Sequence, residues 1–198
     1  MHKLIGVIGA SGTGKTTLCE QSGFTFIRTD VSGVYKDFGL NPRDYMSLSS
    51  RIKVQERILE RHQDIWQEQF EKYKGKEVIF VTDRTPICFM TYLLAEVSGY
   101  GKLKDEDELA VQQYLSRCQD TLTWHFDGIF HLIGEGPFKV NENDGKIRAS
   151  HGLAYHAHYQ NLSVGLMLDN MLNGNFMLCE PQKPAERVIA LRSFVGRL

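Results

Sequence analysis

The chain has few cysteines and no pairing among them. Four of its 198 residues are cysteine: Cys19, Cys88, Cys118 and Cys179. They are far apart and never form a C-x-x-C, which argues against a disulfide framework and against a thiolate zinc site. No apolar run approaches the roughly 18 residues of a membrane span. The opening MHKLIGVIGAS has too short an apolar segment for a secretory leader and runs straight into a glycine-rich turn. Charge of either sign is not in excess: 23 Lys and Arg against 24 Asp and Glu leave a formal net charge of −1. A protein that mainly grips duplex DNA carries a strong positive balance, so that role is disfavoured. Repeats, low-complexity tracts and Pro/Ser-rich linkers are missing, so nothing divides the chain, and its length suits a single domain over 1–198. Reduced thiols and no span make the cytoplasm the expected setting.

What the chain does contain is an alternation of strand and helix. Apolar runs over 3–9, 24–30, 77–83, 128–134 and 175–180 read as strands. The last four are separated by segments with helical spacing, and KTTLCEQS begins a helix after the first. Pro42 stands at a plausible first helical position. Beyond it Leu48, Ile52, Leu59, Trp66 and Phe70 recur at steps of four and seven, one stripe of a long helix. PICFMTYLLAEVS, DEDELAVQQYLSRCQDTL, a stretch over about 152–172 and AERVIALRSFVGRL read as further helices. KLKDEDELA reads as a solvated helix start whose acids suit the N-terminal dipole. The expected fold is α/β: three layers, with a parallel sheet of about five strands covered by helices on both faces.

The segment GASGTGKTT decides the chemistry. Gly9, Gly14, Lys15 and Thr16 match G-x-x-x-x-G-K-[ST], directly after an apolar strand and before a helix. Glycines let successive backbone N–H groups turn inward as an anion nest, a turn that side chains obstruct. Gly9, Ser11, Gly12, Thr13, Gly14, Lys15, Thr16 and Thr17 are therefore expected to bind the phosphates of ATP. Lys15 suits the β- and γ-phosphates, and the Thr16 hydroxyl suits Mg²⁺.

Such loops serve motors, GTPases and kinases alike. VIFVTDRTP ends an apolar strand with Asp83 and Arg84, and the C-terminal edge of a parallel sheet faces the ligand crevice. Asp83 is expected to hold Mg²⁺ or accept a proton from an attacking hydroxyl, and Arg84 to hold an anion. The alternative is an Asp that caps the helix at Pro86, beside a solvated Arg. NENDGKIRAS reads as a lid over about 135–151, with Lys146 and Arg148 brought over the nucleotide to exclude water; the alternative is a plain surface loop. No guanine-reading N-K-x-D follows an apolar strand, which disfavours a GTPase.

By architecture the acceptor belongs between the second strand, the long helix and the Asp83 edge, nominating Arg28, Asp30, Arg51, Gln55 and Tyr92. Arg51 and Gln55 lie one helical turn apart, so one face presents a guanidinium and an amide. The alternative is a solvated amphipathic face. His156 and His158, two apart on a helix, point in different directions and do not readily share an ion. His151, beside the lid, is a minor candidate for approaching phosphate. Leu153, Met167, Met171 and Leu172 read as core.

Together, GASGTGKTT, FVTDRTPICFMTYLLAE and NDGKIRAS resemble a family of P-loop kinases of the AAA-type group, related to the ribosylnicotinamide kinase domain and found in bacteria and their phages. In outline the chain is also similar to thymidylate and deoxynucleoside kinases. The resemblance covers nearly the whole chain in element order. It implies MgATP as phosphoryl donor and a nucleoside- or nucleotide-type acceptor. It further implies phosphate binding by residues 9–16, metal and base chemistry at Thr16 and Asp83, and Arg148 as the lid arginine. It implies two alternative acceptors as well: a free small molecule, or the hydroxymethyl group of 5-hydroxymethyluracil in phage DNA, reached by base flipping. A nucleotide-gated regulatory ATPase and a non-turning-over ATP-binding module are the readings from other classes.

Overall fold

A computed structural model of the chain describes residues 2–41, 46–134, 153–170, 174–180 and 183–198. Among these residues five strands form one parallel sheet: β1 (His2–Ile8), β2 (Thr25–Phe26), β3 (Val78–Thr82), β4 (Gly128–Leu132) and β5 (Phe176–Cys179), in the order β2-β3-β1-β4-β5. Seven α-helices accompany them: α1 (Lys15–Gln21), α2 (Val31–Asp37), α3 (Leu48–Lys72), α4 (Pro86–Val97), α5 (Asp105–His125), α6 (Leu153–Asn170) and α7 (Pro184–Val195). A one-turn 3-10 helix over Ser98–Tyr100 follows α4.

β1 is the centre of the sheet because its residues are apolar on both sides. Leu4 and Ile8 join the core beneath α3, α4 and α5, while Ile5 and Val7 join the smaller core beneath α1 and α7. This is the period-two alternation of a strand buried on both faces. Gly6 is needed for close approach: a Cβ there would lie 2.4 Å from Thr85 Cγ2 and 2.7 Å from Ile129 Cδ1. In α3 the expected stripe is confirmed, with Leu48, Ile52, Leu59 and Trp66 all buried and Phe70 packed against the same core. Met167 of α6 is buried as expected; the side chain of Leu153, and Met171 and Leu172, lie outside the described residues.

One expectation needs correction. The second strand does not run over 24–30. It pairs only through Thr25 and Phe26, Ile27 adds a backbone bond to Val81 at 2.8 Å, and the chain then turns into α2. The reason is Asp30, whose carboxylate accepts from Gly33 N–H at 2.8 Å and caps that helix, a local bond that competes with strand pairing. The start of α3 lies at Leu48, where the Ser47 hydroxyl accepts from Ser50 N–H at 3.2 Å. Pro42 lies outside the described residues.

Adjacency of β1 and β3 sets up the site. Their parallel register pairs Gly6 with Thr82, so the loop after Ile8 and the residues after Thr82 emerge side by side at one sheet edge.

Candidate active site

Between β1 and α1 the chain makes the turn that the glycines allow. Gly9, Gly12 and Gly14 have φ of 145°, 82° and 89°, values that side-chain-bearing residues rarely adopt. At Gly9 the space is closed as well, since a Cβ would sit 2.6 Å from the Leu132 carbonyl oxygen. The loop is held from within: Thr13 Oγ1 donates to the Ala10 carbonyl at 2.9 Å and Lys15 Nζ to the same oxygen at 2.8 Å. Thr13 and Lys15 are buried, Ser11 is half-buried, and Gly12 and Thr17 are exposed. Burial, and next the neighbouring Arg84, bring the Lys15 ammonium down to about 8. An ammonium in that state gains from any anion that enters beside it.

Across the sheet edge, Thr16 Oγ1 donates to Asp83 Oδ2. The helix after β3 does not use Asp83 as its cap. Thr85 Oγ1 accepts from Cys88 N–H at 3.3 Å, which leaves the Asp83 carboxylate to the site. Arg84 lies with its Cζ 5.9 Å from the centroid of Tyr92, and Tyr92 packs on the buried Tyr159 of α6 at 4.8 Å between centroids. Burial works against the Arg84 charge, but Tyr92, Cys88 and Asp83 more than reverse it. Two cations, Lys15 and Arg84, thus lie within electrostatic reach of one carboxylate, a balance suited to a polyanion. Thr16 and Asp83 offer two hard oxygens and no nitrogen or sulfur. That donor set fits Mg²⁺, which keeps waters and takes phosphate oxygens to complete its octahedron. Among the described residues no group of three His, Cys, Asp or Glu is placed to hold a metal, and all four cysteines are buried free thiols.

The five acceptor candidates separate. Arg51 and Gln55 are buried, at 7% and 5% exposure, so this face of α3 is not a solvated one. Arg51 is already partnered: Nε lies 2.7 Å from Glu96 Oε2 of α4, and Nη1 donates to the Tyr35 hydroxyl of α2 at 3.2 Å. Tyr92 is half-buried beside Arg84. Arg28 is not brought in: its exposed guanidinium pairs with Glu20 at 2.7 Å over the Phe26 ring. Asp30 serves as the α2 cap. Lys146, Arg148, His151 and the whole expected lid over 135–151 lie outside the described residues.

Two residues at the site carried no sequence signal. His131 of β4 is fully buried, its Nε2 3.2 Å from Ser163 Oγ of α6, and burial together with Lys15 pulls its imidazole down to about 4. Neutral at ordinary pH, it ties α6 to the sheet edge. Arg187 of α7 donates from Nη1 to the Thr13 carbonyl at 2.7 Å, reaching the glycine loop from the far end of the chain. No motif spacing joins residues so distant.

No protein-family model and no curated protein matches the chain. Solved structures do match in fold. A NadR protein in complex with NR aligns with TM-score 0.69 at 16% identity over 98% of this chain, which spans 52% of that one. Thymidylate kinase from Candida albicans aligns with TM-score 0.65 at 14% identity, covering 99% of this chain and 92% of that chain. Deoxyadenosine kinase from M. mycoides with bound dCTP gives 0.63 at 14% identity, covering 98% and 100%. The five-stranded parallel sheet flanked by helices is therefore a fold shared with these solved structures.

Proposed function

We propose that this chain transfers the terminal phosphoryl group of ATP to a hydroxyl of a nucleoside- or nucleotide-type acceptor, as a single domain whose lid is formed by residues 135–151. The observation that carries the reading is the bond from the Thr16 hydroxyl to the Asp83 carboxylate. It joins the glycine loop of one strand to the acid at the end of its neighbour, with Lys15 and Arg84 near the same acid.

In this reading the inward amides of residues 9–16 and the Lys15 ammonium hold the β- and γ-phosphates. Thr16 and Asp83 would hold Mg²⁺, which supplies charge neutralisation on the phosphate oxygens when bound. Asp83 also orients the acceptor hydroxyl through its second oxygen and takes its proton as the phosphoryl group departs from ADP. Arg84, held against Tyr92, stabilises the charge on the equatorial oxygens during in-line transfer. Arg148 adds a second guanidinium when the lid is in place, and exclusion of water keeps the phosphoryl group from hydrolysis.

The acceptor binds against Gln55 and Tyr92, on the α3–α4 side of the Asp83 edge. An amide recognises a base edge, and an aromatic ring packs on its face. Support for a nucleoside-type acceptor comes from these side chains and from the fold shared with deoxyadenosine and thymidylate kinases.

The test is to incubate the purified chain with γ-labelled ATP and Mg²⁺. The panel is nucleosides, nucleoside monophosphates, plain DNA and DNA containing 5-hydroxymethyluracil. Label on a free nucleoside or monophosphate is the expected result. Label only on modified DNA assigns the same chemistry to the flipped base. Steady release of free phosphate with no labelled acceptor overturns transfer in favour of an ATPase.

A further inference from the structure

The last described helix holds the first loop and the end of α1, at one point each. Arg187, the fourth residue of α7, donates from Nη1 to the Thr13 carbonyl at 2.7 Å across 174 positions of sequence. The same guanidinium covers Gly14, where a Cβ would meet Nη1 at 3.5 Å. Further along α7, Arg192 Nε donates to the Ser22 carbonyl at 2.8 Å, and a Cβ on Gly23 would lie 2.7 Å from its Nη2. Two guanidiniums on one helix therefore grip the chain within the phosphate loop and again just past α1.

The two ends differ in chemistry. Ser22 lies just past the last turn of α1, where carbonyls without helical partners take donors from elsewhere. The Thr13 carbonyl instead belongs to the peptide unit whose other end is the N–H of Gly14, one of the amides in the glycine loop. A cation donating to a peptide oxygen draws electron density toward it and makes the N–H of that amide a stronger donor. Because the unit is planar, fixing its oxygen also fixes the direction of its N–H. Among the described residues no carboxylate forms an ion pair with Arg187, and its Nε is buried without a hydrogen-bond partner, so its charge stays beside the loop.

We infer that Arg187 is a positioning residue for the phosphoryl donor: by holding the Thr13 carbonyl it orients and polarises the Thr13–Gly14 peptide, and so tightens the grip of the Gly14 N–H on polyphosphate. The inference rests on the phosphate-loop reading and adds to it a residue outside the motif. Its ligand is the polyphosphate chain itself, whatever base is attached.

The experiment is calorimetric titration of the full chain with inorganic tripolyphosphate and, separately, with ATP, using wild type, Arg187→Ala, Arg187→Lys and Arg192→Ala, with a thermal melt of each. Arg187→Ala is expected to lose affinity for both ligands by the same factor, about tenfold or more, as for a charged hydrogen bond. Arg187→Lys, still able to donate to a carbonyl, recovers part of the loss. Arg192→Ala lowers Tm yet leaves both affinities within about twofold. If Arg187→Ala does not fold, Arg187→Gln, which keeps an N–H donor without charge, is expected to lose about threefold or more.

Unchanged affinities in the Arg187 variants overturn the inference. So does a loss for ATP alone, which would assign the guanidinium to the base, and so does an equal loss in Arg192→Ala, which would reduce the effect to general support of α1. A wild type that binds neither ligand overturns the phosphate-loop reading, and this inference with it.

Discussion

Arg51 on α3 and Glu96 on α4 meet at 2.7 Å, with the Tyr35 hydroxyl on the same guanidinium, so three helices are joined through one buried cation. Burial pushes the Glu96 carboxyl up, while Glu96 and Tyr35 more than offset what burial takes from the Arg51 charge. The positive charge of this acceptor candidate is therefore already neutralised by the protein.

Removing one member of that pair leaves the other buried and alone. Arg51→Met and Glu96→Gln are each expected to lower the unfolding free energy by about 2–3 kcal/mol, near the low end for a buried pair because Glu96 is partly exposed. The double variant recovers much of the loss. Urea denaturation of the four proteins checks this, and additive losses would show that the pair does not act as a unit.

Lys15 sets a pH dependence whose sign follows from its burial. Its ammonium titrates at about 8 in the folded chain against an ordinary 10.5, so the unfolded state binds the proton more tightly. The charged form costs the native state up to about 3 kcal/mol below pH 8, and stability rises as pH climbs from about 8 toward 10.5. ATP affinity runs the other way and falls as Lys15 loses its charge above pH 8. Denaturation and ATP titration at pH 7, 9 and 10, with Lys15→Met as the flat reference, read both trends.

Asp83→Asn keeps the shape of the site and removes its charge. Transfer is expected to fall by about 10²–10³-fold, with ATP binding within a few-fold of wild type. Thr16→Val in the same background adds less than it does alone, because the two side chains share one bond. Full transfer by Asp83→Asn would remove the acid from the mechanism.

Gly9→Ala meets a backbone obstacle. The added methyl lands on the Leu132 carbonyl oxygen at a residue with φ of 145°, so neither rotation nor repacking of a side chain relieves the contact. A loss of about 2–3 kcal/mol in stability and of measurable ATP binding is expected. Arg28→Ala is the contrasting case. Its partner is an exposed Glu20, so a change below about 1 kcal/mol and no effect on acceptor KM are expected.

The parts legible in the sequence are those encoded locally. Short apolar runs placed β1, β3, β4 and β5 to within a residue or two, and the spacing of glycines around Lys15 located the loop, because the backbone conformation needed there is written in adjacent residues. The second strand was overread because Phe24, Phe26 and Ile27 have strand chemistry while the capping bond of Asp30 depends on a helix only seven residues long. Arg51 was read as an acceptor candidate or a solvated residue because nothing in a one-dimensional pattern places Glu96, on another helix, against it. Arg187 and His131 were invisible for the same reason: a guanidinium on a distant carbonyl and an imidazole on a distant hydroxyl leave no spacing to read.

The bond from Arg187 to Thr13 also carries a consequence for biosynthesis. During synthesis the glycine turn precedes by 174 residues the guanidinium that bonds its Thr13 carbonyl. Until α7 emerges, a nascent chain can pair β1 with β3 and β4 while its glycine turn lacks that bond. If Arg187 positions the loop as inferred, a chain cut short before α7 is expected to bind ATP less tightly than the full chain.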